Sequence, residues 1–403
     1  MTRPSTRRPG ALADLRGGAR LVIDGVRGVT GLVEAMHSRI ARVPMPLGQV
    51  PDMPTTGITG LVYRSIQGTT GVVGKAIDAA LAGVEAVLPA ASPDAAAGRF
   101  DAERDAAVAA LNGVMGDHLE RSGNPLATPM ALRVRPADAA RGPRVLLLVH
   151  GLCMTDHQWT RDGHDHGQAL AEAGGWTPVY ARYNTGRHIS TNGAEMAAQV
   201  EQLLDGWPVP VEDFAVIGHS MGGLVMRSAL QSALHAGMRW PAKLRRLVFL
   251  GTPHHGAPLE RGGNWLHRGL GVSPYVAPFT RLSGLRSFGI TDLRHGNLQE
   301  QDWADDRFTH RDTRAALPLP SGVACYAIAG TLGEGRTDEW LGDGLVPLAS
   351  ALGRHSKPTR DLHIPASRQW VARGVNHLDL LASDAVYRRL KRWLGPANPR
   401  DPA

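Results

Sequence analysis

Short unbroken apolar runs alternate with stretches whose apolar residues recur at helical spacing, and this alternation sets in at Arg144. Val145-Leu146-Leu147-Leu148-Val149 is apolar at every position, the mark of a strand buried on both faces. Pro178–Tyr183, Phe214–Ile217, Leu247–Leu250, Cys325–Ala329 and Leu362–Ile364 read as further strands. Between them Gly193–Leu204 and Met221–His235 read as helices, and Asp101–Met115 as a helix ahead of the first strand. Such alternation predicts an α/β fold: a mostly parallel sheet with helices on both faces.

Upstream the pattern is different. Residues 1–20 hold Pro, Arg, Gly and Ser without periodicity and are expected to be a disordered tail. Residues 21–98 form a Gly/Ala-rich region with a weak repeat: Gly28-Val29-Thr30-Gly31-Leu32-Val33 recurs at Gly57-Ile58-Thr59-Gly60-Leu61-Val62 and, loosely, at Gly68-Thr69-Thr70-Gly71-Val72-Val73. The stretch 61–88 carries apolar residues at helical spacing, although each Gly costs a helix about 1 kcal/mol against Ala. It is read as helices packed on the α/β domain that follows, with a peripheral contact to a lipid surface or a partner as the alternatives. The α/β domain is then expected over 99–398.

Composition narrows the class. The 403 residues are 43% hydrophobic and 20% charged, as a chain with a real core requires. The net charge is +7, but the Arg residues are scattered and no basic run is interleaved with aromatics, so no nucleic-acid surface is expected. Cys153 and Cys325 are too few for a disulfide framework. With no secretory leader and no apolar run of about 18 residues, a cytoplasmic protein is expected, in contact with membranes at most peripherally.

The segment Val216-Ile217-Gly218-His219-Ser220-Met221-Gly222-Gly223 concentrates the chemistry. A serine between an apolar strand and a helix, framed by Gly218, His219 and Gly222, fits a strained turn that lifts its hydroxyl clear of the sheet edge. The following helix offers N–H groups and a positive dipole end to a developing oxyanion. Leu148-Val149-His150-Gly151-Leu152 ends the first strand, where ligands gather in open α/β sheets. The backbone N–H groups of Leu152 and Met221 are therefore the candidate oxyanion hole, with His150 and Gly151 supporting the loop.

A hydroxyl nucleophile needs a base, and the base an orienting carboxylate. On this fold they follow in the order Ser, acid, His. Asp343 in Gly342-Asp343-Gly344-Leu345-Val346-Pro347 and His377 in Val375-Asn376-His377-Leu378 both follow late strands and are the candidates. Asp338 and Glu339 compete for the acid; His355 and His363 are the less suited histidines.

These segments, together with Gly251-Thr252-Pro253-His254-His255-Gly256, resemble the bacterial lipase/esterase branch of the α/β-hydrolases. They are also similar to the GPI inositol-deacylase-like group. The resemblance covers about residues 143–395 and implies an α/β-hydrolase fold and a Ser220–His377–Asp343 triad acting on carboxylic esters or lipids. Thioesterase, amidase or acyltransferase chemistry and a membrane-peripheral scaffold stand as alternatives. The stretch of about 257–317, apolar in places, falls where such enzymes carry a lid or cap. His164-Asp165-His166 and His254-His255 have spacings that could ligate a metal, but spacing alone does not establish one, solvated loop histidines are the favoured reading, and no metal or other cofactor is expected.

Overall fold

The structure, a computed structural model, describes residues 97–257, 287–303, 317–332 and 342–395. The expected tail over 1–20, nearly all of the 21–98 region and most of the 257–317 insertion lie outside the described residues. By their contacts, residues 96–118 and 128–403 form one compact unit, and the remainder of the chain a second. The sheet and the candidate site belong to the former.

Its core is a seven-stranded sheet. In chain order the strands are β1 (Ala131–Val134), β2 (Arg144–Val149), β5 (Thr177–Arg182), β6 (Asp213–His219), β7 (Leu244–Leu250), β8 (Ala324–Thr331) and β9 (Gln369–Arg373), and β3 (Thr160–Arg161) pairs with β4 (His164–Asp165) in a separate hairpin. The order across the sheet is β1-β5-β2-β6-β7-β8-β9, with every neighbour parallel except antiparallel β1 on β5.

The unbroken apolar run of β2 explains its central place. Val145, Leu147 and Val149 enter one core cluster, while Leu146 and Leu148 enter the other. Helices α3 (Ile189–Asp205) and α4 (Met221–His235) cover the first face, burying Met196, Val200, Leu224 and Val225 among others. Helices α2 (His166–Gly174) and α6 (Asp384–Leu394) cover the second with Leu170, Val386, Leu390 and Leu394. Burying one such side chain contributes about 1.5–3 kcal/mol, so both layers are needed to close the sheet.

Helix α1 (Ala97–Arg121) is longer than the periodicity predicts, and its backbone leaves helical geometry at Met115, where the expected helix ends. Of the insertion, the described part 287–303 is built into the body. Helix α5 (Phe288–His295) buries Leu293, Leu298 packs beside it, and Asp292 accepts from the Ile189 N–H at 2.9 Å.

One expected strand is wrong. Leu362–Ile364 is not a strand; the last strand is β9. His363 sits at φ 50, and the Asp361 carboxylate accepts from its N–H at 2.7 Å, forming a tight turn before Pro365, which lacks an N–H. Cys153 lies in the loop after β2 at φ 59.

Candidate active site

Ser220 occupies the one-residue junction between β6 and α4, at φ 53 and ψ −123. Positive φ costs a non-glycine residue of order 1–3 kcal/mol and persists only where surrounding bonds dictate it. Here the Ser220 N–H donates to Leu250 O at 2.9 Å and its carbonyl accepts from Gly223 N–H at 3.1 Å. Its side chain makes no capping bond to α4, so the hydroxyl is not consumed by the helix.

Two glycines set what lies beside it. A Cβ on Gly222 would stand 2.2 Å from Val149 O and 2.6 Å from His150 O, so α4 starts against the end of β2. A Cβ on Gly151 would stand 2.9 Å from Ser220 Cβ, so the loop after β2 runs past the serine. Gly218 is equally confined, against the backbone of Gly223, and Thr252 Oγ1 donates to its carbonyl at 3.3 Å.

The loop after β2 is tied down residue by residue. The buried His150 ring stacks on Tyr183 at 4.4 Å, and its Nδ1 lies 2.9 Å from Gly151 O; a carbonyl only accepts, so Nδ1 carries the proton. Burial pushes His150 down to about 4, which keeps it neutral. Tyr183 O–H donates to His150 O at 2.7 Å, and Cys153 N–H to Thr185 Oγ1 at 3.1 Å. Between these ties the Leu152 N–H has no hydrogen-bond partner among the described residues, nor has the N–H of Met221, the first residue of α4.

Asp343 and His377 come from the loops after β8 and β9. Gly342 at φ 52 and Gly344 at φ 91 bracket Asp343, whose Oδ1 accepts from Leu345 N–H at 3.0 Å and Val346 N–H at 2.9 Å. Its Oδ2 accepts from His377 Nδ1 at 2.7 Å. The two side chains are 0% and 7% exposed, so this is a buried charge-assisted bond. With Nδ1 protonated, Nε2 of a neutral His377 holds the lone pair. The His377 carbonyl in turn accepts from His219 Nε2 at 3.1 Å, and the two rings lie 4.8 Å apart. Burial, with His377 adding to it, holds His219 well below the usual histidine range.

Ser220 thus follows β6, Asp343 β8 and His377 β9, all at the carboxyl ends of strands of one parallel sheet, with Ser220 and His377 each 6% exposed. Ser220 and His377 share no hydrogen bond in this state. Such bonds often tighten only with substrate bound. Among the competitors, His363 is exposed and faces Asp361, His355 stands against His255, and Asp338 and Glu339 lie outside the described residues. The metal-spaced histidines have other partners: His164 and His166 bond to each other at 2.7 Å, and His254 lies against Phe249 and Arg227. Sequence reasoning did not find Tyr183, Thr185 or Asn376, whose Oδ1 accepts from Leu378 and Asp379 N–H groups and shapes the His377 loop.

A family model described as a domain of unknown function, DUF7379, matches residues 122–268. Comparison with curated proteins returns no match. Among solved structures, the mature lipase BlEst2 of Bacillus licheniformis is similar at TM-score 0.42 and 17% identity, over 66% of this chain and 98% of its own. An esterase of Pyrococcus furiosus aligns at TM-score 0.35 and 15% identity, over 63% and 80%. A lipase-esterase related protein of Clostridium acetobutylicum aligns at TM-score 0.35 and 11% identity, over 66% and 98%. The sheet order, the strand–Ser220–helix elbow and the loops that follow β8 and β9 make this an α/β-hydrolase fold.

Proposed function

We propose that this chain is a serine hydrolase that cleaves carboxylic esters, as an esterase or lipase, by two-step acyl transfer. The observation that carries the reading is Ser220 held at positive φ on the elbow, at the same sheet edge as the buried His377–Asp343 pair. His377 Nε2 takes the Ser220 proton as the hydroxyl attacks the ester carbonyl, and Asp343 holds the tautomer and stabilises the imidazolium. The N–H groups of Leu152 and Met221 receive the oxyanion. Preorganised donors of this kind are worth about 10²–10³ in rate each. The alcohol leaves with the proton from His377, and water repeats the sequence on the acyl-enzyme.

A lipid ester falls within this substrate class. No helix among the described residues is long and apolar enough to cross a membrane. A lipid substrate would be met from the water side, with residues 21–98 as the proposed contact. The buried, unpaired thiols of Cys153 and Cys325 agree with a reducing, cytoplasmic setting.

The reading is tested by labelling the full chain with a fluorophosphonate and mapping the adduct. Modification of Ser220, abolished by His377→Ala, supports it. Absence of label, or label elsewhere, overturns it.

A further inference from the structure

His166 is a buried histidine with no place in the acyl-transfer scheme. It is the first residue of α2, directly after the β3–β4 hairpin, and is fully buried. Its Nε2 lies 2.9 Å from Leu380 O, and its Nδ1 lies 2.7 Å from His164 Nε2. A carbonyl only accepts, so His166 Nε2 carries the proton and Nδ1 accepts from His164. The chain of donors runs in one direction, from His164 through His166 to the Leu380 carbonyl.

Leu380 follows His377 by three residues and is itself fully buried. Its N–H donates to Asn376 O at 3.2 Å, closing the turn that presents His377. Its side chain lies between two glycines. A Cβ on Gly251 would stand 2.9 Å from Leu380 Cδ1 and 3.2 Å from His377 Nδ1. A Cβ on Gly330 would stand 3.5 Å from Leu380 Cδ2 and 2.9 Å from Asp343 Cβ. The Leu380 side chain is therefore packed among the same backbone positions as His377 and Asp343. The hairpin is anchored independently: Asp165 Oδ1 accepts from Tyr180 O–H at 2.7 Å and Gly167 N–H at 2.8 Å, and Arg161 Nη2 reaches Asp379 at 3.1 Å.

We propose that His166, with His164 fixing its tautomer, is a positioning residue that acts through the Leu380 carbonyl to keep His377 in register with Asp343. This rests on the ester-hydrolase reading of the same site. It adds to that reading that the loop's geometry is imposed from the β3–β4 hairpin as well as by Asp343. Small displacements matter because a misplacement of about 1 Å can cost roughly 10²-fold in rate.

The experiment uses the ¹⁵N-histidine-labelled full chain and reads the downfield imidazole proton of His377 Nδ1 alongside p-nitrophenyl ester kinetics. His166→Leu removes the donor; His166→Gln returns an amide N–H to the Nε2 position. The leucine variant is expected to broaden or lose the His377 resonance. Its kcat should fall roughly tenfold to hundredfold at unchanged KM, while glutamine restores the resonance and most of the rate. If the leucine variant does not fold, His166→Asn, whose amide is too short to reach Leu380, replaces it with the same expectations. A wild-type resonance and kcat in the donor-less variant would overturn the proposal, as would equal impairment by leucine and glutamine. A wild type that shows the resonance but no turnover would remove the ester reading, and the resonance arm would then decide the positioning role alone.

Discussion

His377 and Asp343 are joined twice: Nδ1 to Oδ2 at 2.7 Å and the His377 N–H to the Asp343 carbonyl at 3.1 Å. The second tie does not depend on side-chain rotation, so the acid and the imidazole are held by the backbones of two loops as well as by their charge. Asp343→Asn keeps the shape but places an N–H against Nδ1, forcing the proton onto Nε2, where the lone pair is needed. A fall in kcat of about 10⁴-fold with an intact fold is the expected result, read by ester turnover beside circular dichroism. A drop of less than tenfold would remove Asp343 from the mechanism.

Stability should fall with acid. Burial holds His150 and His166 down at about 4, whereas an unfolded chain binds these protons near 6.5. The folded-state values are depressed, so the unfolded state binds more protons below 6.5. The stabilisation is complete above 6.5 and is lost as pH falls from 6.5 towards 4. A shift of this size corresponds to about 3 kcal/mol per group. Thermal melts across that window should show His166→Gln losing less stability with acid than the wild type. Parallel curves would contradict the buried neutral state.

Gly222→Ala forces a Cβ to within 2.2 Å of Val149 O. Backbone must move, because no side chain is there to yield. A loss of about 3 kcal/mol or more is expected, together with lost turnover, since the shift separates the loop after β2 from Ser220. Wild-type melting and activity would show that the elbow is not packed this way.

Thr185→Val preserves shape but leaves the buried Cys153 N–H unpaired. The expected cost is about 1–3 kcal/mol, with kcat reduced at near-constant KM because the turn beside Leu152 loosens. An unchanged kcat would argue against Leu152 as an oxyanion donor.

The strongest sequence signals were those with a local cause. The continuous apolar run of β2 could only be a strand buried on both faces. The glycines about Ser220 mark close approaches that no larger residue permits, and Asp343 and His377 follow β8 and β9 in chain order. Sequence failed where the cause is distant. Gln369-Trp370-Val371-Ala372-Arg373 is a half-buried edge strand, so β9 lacks the apolar continuity that marks β2, and the alternating Leu362-His363-Ile364 stands out in its place. β1 is a short antiparallel edge of the same kind. His164 and His166 could be noticed only as a metal-like spacing, because the partner of His166 lies 214 residues away, and nothing local announces a carbonyl.

The most direct test is hydrolysis of p-nitrophenyl esters from acetyl to palmitoyl by the wild type and Ser220→Ala. The account predicts turnover by the wild type, with an optimum that separates esterase from lipase, and a loss of at least roughly 10³-fold in the variant at every chain length. Equal turnover by the two proteins would contradict it.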